Sequence, residues 1–193
     1  MFIFLFYTFL KSDHIDLRPI SYYLFSLYNI QMLDFVIRND QDIENFIKQR
    51  IDFNESQLIG LIGNLGAGKT RFVQVLAKML GVKENVNSPT FIIQNEYEFA
   101  GGILQHIDLY RVETLTEFNE LKIESLFDGK FFICVEWADK FEKELKFMTA
   151  TNNVSKLFLK IDYLNETERA FTIQIQTTNS DKIISNYDAY YSD

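Results

Sequence analysis

Three glycines crowd into six residues, Gly63, Gly66 and Gly68, and the last is followed at once by Lys69 and Thr70. The chain has only eight glycines in 193 residues, so the cluster answers a demand of the backbone and not of composition. The spacing G-x-x-x-x-G-K-T suits a loop whose N–H groups turn inward around an anion, with a lysine as a mobile positive charge and a hydroxyl placed for a divalent cation. This is a phosphate-binding loop, formed by Gly63, Asn64, Leu65, Gly66, Ala67, Gly68, Lys69 and Thr70. N–H groups from Gly66 to Thr70 are expected to cradle the β-phosphate, Lys69 to reach the β- and γ-phosphates, and Thr70 to ligate Mg2+.

Such a loop needs a carboxylate from a second strand to hold or orient the cation, and two acids qualify. Glu136 closes the apolar run "FFICVE" and Asp108 closes "ILQHID", each at the carboxyl end of an expected strand, where ligands collect in α/β sheets. Either could instead be a solvated acid at a strand end. His106 lies two positions before Asp108, hence on the same strand face, and fits a structural hydrogen-bonding role as well as a catalytic one. In "NSPTF", Thr90 follows a rigid Ser-Pro turn. A threonine so placed can act as a switch that senses the γ-phosphate; a capped approach to the next strand explains it equally well.

The elements that must position these residues are legible from periodicity. "DFVIRN" reads as a strand, and "DQDIENFIKQRI" as a helix that buries Ile43, Phe46, Ile47 and Ile51. "QLIGLIG" is a buried strand feeding the loop. Residues 69–80 form a helix with Phe72, Val73, Leu76, Ala77 and Leu80 on one face and Gly81 as its stop. "TFIIQNEYEF" and "GILQHIDLYR" predict a hairpin across "AGG". "TLTEFNELKIESLF" predicts a helix capped by Thr114 or Thr116 and broken by "DGK"; "FFICVEW" follows as a buried strand. "SKLFLKIDYL", "NETE" and "RAFTIQIQ" predict a closing strand, turn and strand. The expected fold class is α/β, a P-loop NTPase-like three-layer sandwich around a mixed β-sheet.

A length of 193 residues fits one domain. Residues 1–31, opening with "MFIFLFYTFL", lack the basic start and cleavage site of a signal peptide and are too short in apolar length to span a bilayer. They are expected to be an upstream extension set by choice of start codon, with membrane tethering as the alternative, and residues 32–193 to be the folded ATPase domain. Net charge −8 and pI near 4.8 argue against direct nucleic-acid binding. The single cysteine, Cys134, excludes an intramolecular disulfide and fits a reducing, cytoplasmic setting; no membrane partner is expected.

Taken together and in this order, "GNLGAGKT", "NSPTF", "HIDLYR" and "VEW" resemble the TsaE family of tRNA threonylcarbamoyladenosine biosynthesis. The resemblance runs from about Leu33 to about Gln176. It implies ATP held by Gly66 to Arg71, Mg2+ bound by Thr70 and Glu136, and essential roles for Asp108 and for Trp137 beside the nucleotide. It also implies TsaD and TsaB as partners, with tRNA met only through them. Departures are Asn64 where the family usually has an acid, Arg71 in place of a second hydroxyl, and the segment before Met32. Arg71 could still meet the α-phosphate by charge. Alternatives to this ATPase reading are a small-molecule kinase and a nucleotide-gated adaptor; a kinase usually closes a basic lid, and the six arginines here are not clustered after the loop.

Overall fold

The computed structural model describes residues 34–173. The expected boundary at Met32, the extension 1–31 and the end of the expected domain after residue 173 lie outside the described residues.

Strand β1 (Asp34–Ile37) leads into helix α1 (Asp40–Arg50), whose N-cap Asn39 accepts the Asp42 N–H at 3.1 Å. Acids in its first turn and bases in its last complement the helix dipole. Ile43, Phe46, Ile47 and Ile51 are buried, as the helical spacing requires. Strand β2 (Gln57–Ile62) is buried along all six residues and feeds the glycine loop. Helix α2 (Lys69–Leu80) has the bounds its pattern predicts. It ends at Gly81, whose left-handed φ of 85° lets its N–H reach back to the helix carbonyls.

Strands β3 (Gln94–Phe99) and β4 (Gly102–Asp108) form the expected hairpin. The expected strand over "TFII" is corrected: residues 90–93 form a turn, with Ile92 and Ile93 N–H groups both bonding the Pro89 carbonyl. Phe91 and Ile92 remain exposed and Ile93 takes a left-handed φ of 70°, so this apolar run was a misleading strand signal. Helix α3 (Leu115–Glu120) is capped by Thr114, which makes a reciprocal capping box with Glu117. It stops sooner than expected, because Lys122 turns left-handed before a short 3-10 turn over Ile123–Leu126.

Strand β5 (Phe131–Glu136) is fully buried. A 3-10 turn over Ala138–Phe141 and helix α4 (Glu142–Thr151) follow. This helix was not anticipated; only Leu145 and Thr149 are buried along it, too sparse a stripe to stand out in sequence. Strands β6 (Ser155–Tyr163) and β7 (Arg169–Ile173) close the sheet as an antiparallel pair.

The seven strands run in the order β1-β7-β6-β2-β5-β4-β3, parallel across β6, β2, β5 and β4 and antiparallel at both margins. The uninterrupted apolar character of β2 and β5 is what a strand covered on both faces requires. On one face α1 and α2 pack through Phe46, Ile47, Phe72 and Leu76 onto Ile59, Leu61, Phe132 and Phe171. On the other, Phe118, Phe141 and Leu145 pack onto Leu58, Ile133, Val135 and Phe158. The result is a three-layer α/β sandwich with a mixed sheet. Among the described residues no helix is long and apolar enough to cross a membrane.

Candidate functional site

Parallel pairing brings three strand ends to one edge. Leu61 of β2 pairs with Glu136 of β5, and Glu136 with Asp108 of β4. The glycine loop leaving β2 therefore opens beside both acids, at the carboxyl edge where α/β sheets receive ligands. Alternation puts His106 and Asp108 on the same sheet face as Cys134 and Glu136. Leu104, Phe132 and Cys134 of that face pack in the core beneath α2.

The loop's shape depends on glycine at two points. At Gly63 an added Cβ would lie 2.4 Å from the Ile161 carbonyl oxygen, so any side chain would drive the loop off β6. Gly68 has a left-handed φ of 109° and a Cβ there would meet nothing within 4 Å, which leaves the approach to the first turn of α2 clear on that side. The loop is fastened to β6 by Tyr163, whose hydroxyl donates to the Leu65 carbonyl at 3.1 Å.

Lys69 is buried, and its ammonium donates to the carbonyls of Gly63 at 2.7 Å and Asn64 at 3.0 Å. It also sits 3.9 Å from the centre of the Trp137 ring, a cation–π contact. Burial holds its pKa below the ordinary lysine value, while the carboxylates of Glu136, Asp108 and Asp139 pull it the other way. Beside it, Thr70 Oγ1 donates to Glu136 Oε1 at 2.7 Å. The same oxygen meets His106 Nε2 at 2.8 Å. Glu136 is only 3% exposed and His106 is wholly buried, so this is a desolvated polar cluster set under the first turn of α2.

Asp108 has a different set of partners. Its Oδ2 accepts from the Thr90 hydroxyl and, at 3.4 Å, from that of Ser88; its Oδ1 accepts the Tyr110 N–H at 2.9 Å. The "NSPTF" turn is thereby tied to the end of β4. Trp137 turns the chain out of β5 with a left-handed φ of 59°, and its ring lies 5.2 Å from that of Tyr110. A non-glycine residue held there stores about 1–3 kcal/mol of strain, a feature that collects at functional sites.

Residues 63–70 thus lie together with Glu136 and Trp137, and Asp108 with Thr90 forms the neighbouring group. Arg71 is drawn elsewhere: its guanidinium pairs with Asp40 of α1 and bonds Gln74. It lines a cleft of about 540 Å3 with Lys78, Lys83 and Asn85, on the flank of α2. Sequence reasoning missed Tyr163, and also Lys140, whose ammonium bonds the Leu109 and Tyr110 carbonyls at 3.1 and 2.9 Å. Neither lies in a motif; only the β2–β6 pairing and the turn after Trp137 bring them in.

The family model described as "Threonylcarbamoyl adenosine biosynthesis protein TsaE" matches residues 37–171. The chain belongs to the TsaE family. Among curated TsaE proteins, that of Aquifex aeolicus is 40% identical over 120 residues, covering 61% of this chain and 77% of the relative. The TsaE of Haemophilus influenzae is 30% identical over 130 residues, 67% and 77% of the two chains. The crystal structure of YdiB from Bacillus subtilis matches with a TM-score of 0.53 at 24% identity, covering 83% of this chain and 96% of that one; this likeness speaks for the fold. The match to the TsaE model takes in every site residue from Gly63 to Trp137.

Proposed function

We propose that the chain binds ATP with Mg2+ and hydrolyses it, slowly when alone, as a subunit of the machinery that places the threonylcarbamoyl group on adenosine 37 of tRNAs reading codons that begin with A. The observation that carries this reading is the 2.7 Å bond between Thr70 Oγ1 and Glu136 Oε1, a loop hydroxyl and a strand-end carboxylate meeting at the start of α2. Two hard oxygen donors suit Mg2+, which is commonly held by one or two carboxylates together with substrate phosphates. When bound, Mg2+ would neutralise charge on the phosphate oxygens.

The chain's own groups then have distinct tasks. N–H groups from Gly66 to Thr70 receive the phosphates at the positive end of α2. Lys69 exchanges the Gly63 and Asn64 carbonyls for β- and γ-phosphate oxygens. Glu136 orients the cation with Thr70, and Asp108 is the second acid near the reacting phosphate. Thr90, bonded to Asp108, couples the "NSPTF" turn to the nucleotide state, and Trp137 borders the nucleotide.

Coupling to tRNA runs through TsaD and TsaB. Net charge −8 disfavours direct contact with RNA. Leu65, Phe91, Ile92 and Tyr110 are large apolar residues left exposed on the segments that carry the site, which favours a protein partner there. The test is reconstitution with TsaB and TsaD, counting modified tRNA per transferase complex with wild type and with Glu136→Gln. Repeated turnover with wild type and none with the variant is expected. Equal turnover would replace hydrolysis with an adaptor role, and phosphate delivered to an acceptor other than water would indicate a kinase.

A further inference from the structure

Glu136 receives two hydrogen bonds, and both fall on the same oxygen. Thr70 Oγ1 and His106 Nε2 lie 2.7 and 2.8 Å from Oε1. These two contacts differ in kind. Thr70 belongs to the loop that receives the phosphates, so its hydroxyl is committed to whatever enters there. His106 belongs to β4, paired with Asn95 of the edge strand β3 on one side and Cys134 of β5 on the other, and has no exposed surface.

The other ring nitrogen decides how His106 works. Nδ1 is buried and has no hydrogen-bond partner. An N–H group there would be buried without an acceptor and lose its hydration uncompensated, whereas a bare ring nitrogen forgoes less. The proton therefore belongs on Nε2, where the Glu136 carboxylate accepts it. The ring is sealed from solvent and its one N–H points at Glu136, so its reach is confined to that carboxylate. We infer that His106 is a positioning residue: it fixes the Glu136 carboxylate from beneath, so that the carboxylate keeps its orientation toward the cation when Thr70 is drawn to the nucleotide. This deepens the proposed Mg2+–ATP reading and rests on it. Imidazole N–H groups that orient a metal-binding carboxylate change metal affinity about 10- to 100-fold when removed.

The experiment has two arms. In the first, nucleotide binding by wild type, His106→Leu and His106→Gln is titrated with Mg2+ at saturating ATP, and ADP affinity is measured separately in EDTA. Expected is a half-saturating Mg2+ concentration roughly tenfold or more higher for His106→Leu, recovery by His106→Gln, whose amide can donate in the same direction, and metal-free ADP affinity equal in all three. An unchanged Mg2+ requirement, or loss of metal-free affinity in the same proportion, would overturn the inference in favour of a packing role. The second arm needs no variant at His106. The chain has two histidines, His14 and His106, so 15N spectra of the wild-type imidazoles, assigned with Glu136→Gln, should show one ring protonated at Nε2 with a slowly exchanging proton. A ring protonated at Nδ1, or rapid exchange, overturns the inference even if His106→Leu does not fold. Absence of any nucleotide binding by wild type overturns the ATPase reading and this inference with it; binding by wild type with insensitivity to His106 overturns this inference alone.

Discussion

The two acids of the site sit side by side in the sheet but are held by different kinds of structure. Glu136 ends a strand buried along its whole length, and its partners are a core histidine and the first turn of α2. Asp108 ends the neighbouring strand, and its partners Thr90, Ser88 and the Tyr110 N–H come from turns whose neighbours Phe91, Ile92 and Tyr110 are exposed. Packed cores resist small displacements, while exposed turns open at low cost. On the proposed reading, the difference separates a half of the site fixed in the core from a half whose hydrogen bonds are exchanged with ligand state. A nucleotide switch needs both, one to bind and one to respond.

The largest expected effect comes from removing the charge common to both halves. Lys69→Ala should weaken ATP binding by about 2–5 kcal/mol, at least ~30-fold in Kd; calorimetry that finds near-normal affinity would break the site assignment. Next, Glu136→Gln should retain ATP while hydrolysis falls at least ~100-fold. If phosphate release is unchanged, the work of Glu136 belongs to Asp108. Thr90→Val should act more mildly, removing one hydrogen bond to a carboxylate, about 1.5–3 kcal/mol at most. Its expected signature is a loss of stimulation by TsaD and TsaB with ADP affinity intact. A variant stimulated like wild type would show that the "NSPTF" turn is merely an approach to β3.

The smallest effect tests the far anchor of the Asp108 side, the capping box that opens α3. The N–H groups of Glu113 and Thr114 hold the Glu117 carboxyl below the ordinary carboxylate value of 4.5. A lowered pKa in the folded state means stability that is present above that ordinary value and lost as pH falls below it. The gap in thermal unfolding between wild type and Glu117→Gln should therefore narrow on acidification from neutral pH. Thr114→Ala should cost about 1 kcal/mol at neutral pH, and neither change should alter nucleotide affinity in EDTA.

The same contrast explains what the sequence disclosed. The loop, α2 and the buried strands were legible because local pattern and tertiary role agree: apolar runs are covered on both faces, and the glycines stand where the backbone needs them. "TFII" misled because Phe91 and Ile92 face outward, a placement that periodicity cannot reveal. Helix α4 escaped notice because two buried positions make a weak stripe. The bond from His106 to Glu136 spans 30 residues and depends on the register of β4 against β5, which no single segment encodes. Arg71 was expected near the phosphates; its ion pair with Asp40 depends on how α1 packs beside α2.

Cys134 lies at the centre of this sheet, fully buried, with its thiol pKa pushed up by burial and by the nearby Glu136 charge. Because the reactive form is the thiolate, a reagent can reach this sulfur only after β5 has been exposed. Its neighbours along the strand are the core beneath the nucleotide loop, so exposure requires more than the opening of a surface turn. As the chain's lone thiol, it makes alkylation a clock for cooperative opening of the central sheet. Slower labelling with bound nucleotide would register stabilisation of the native state by ligand, read at a residue that never touches the ligand.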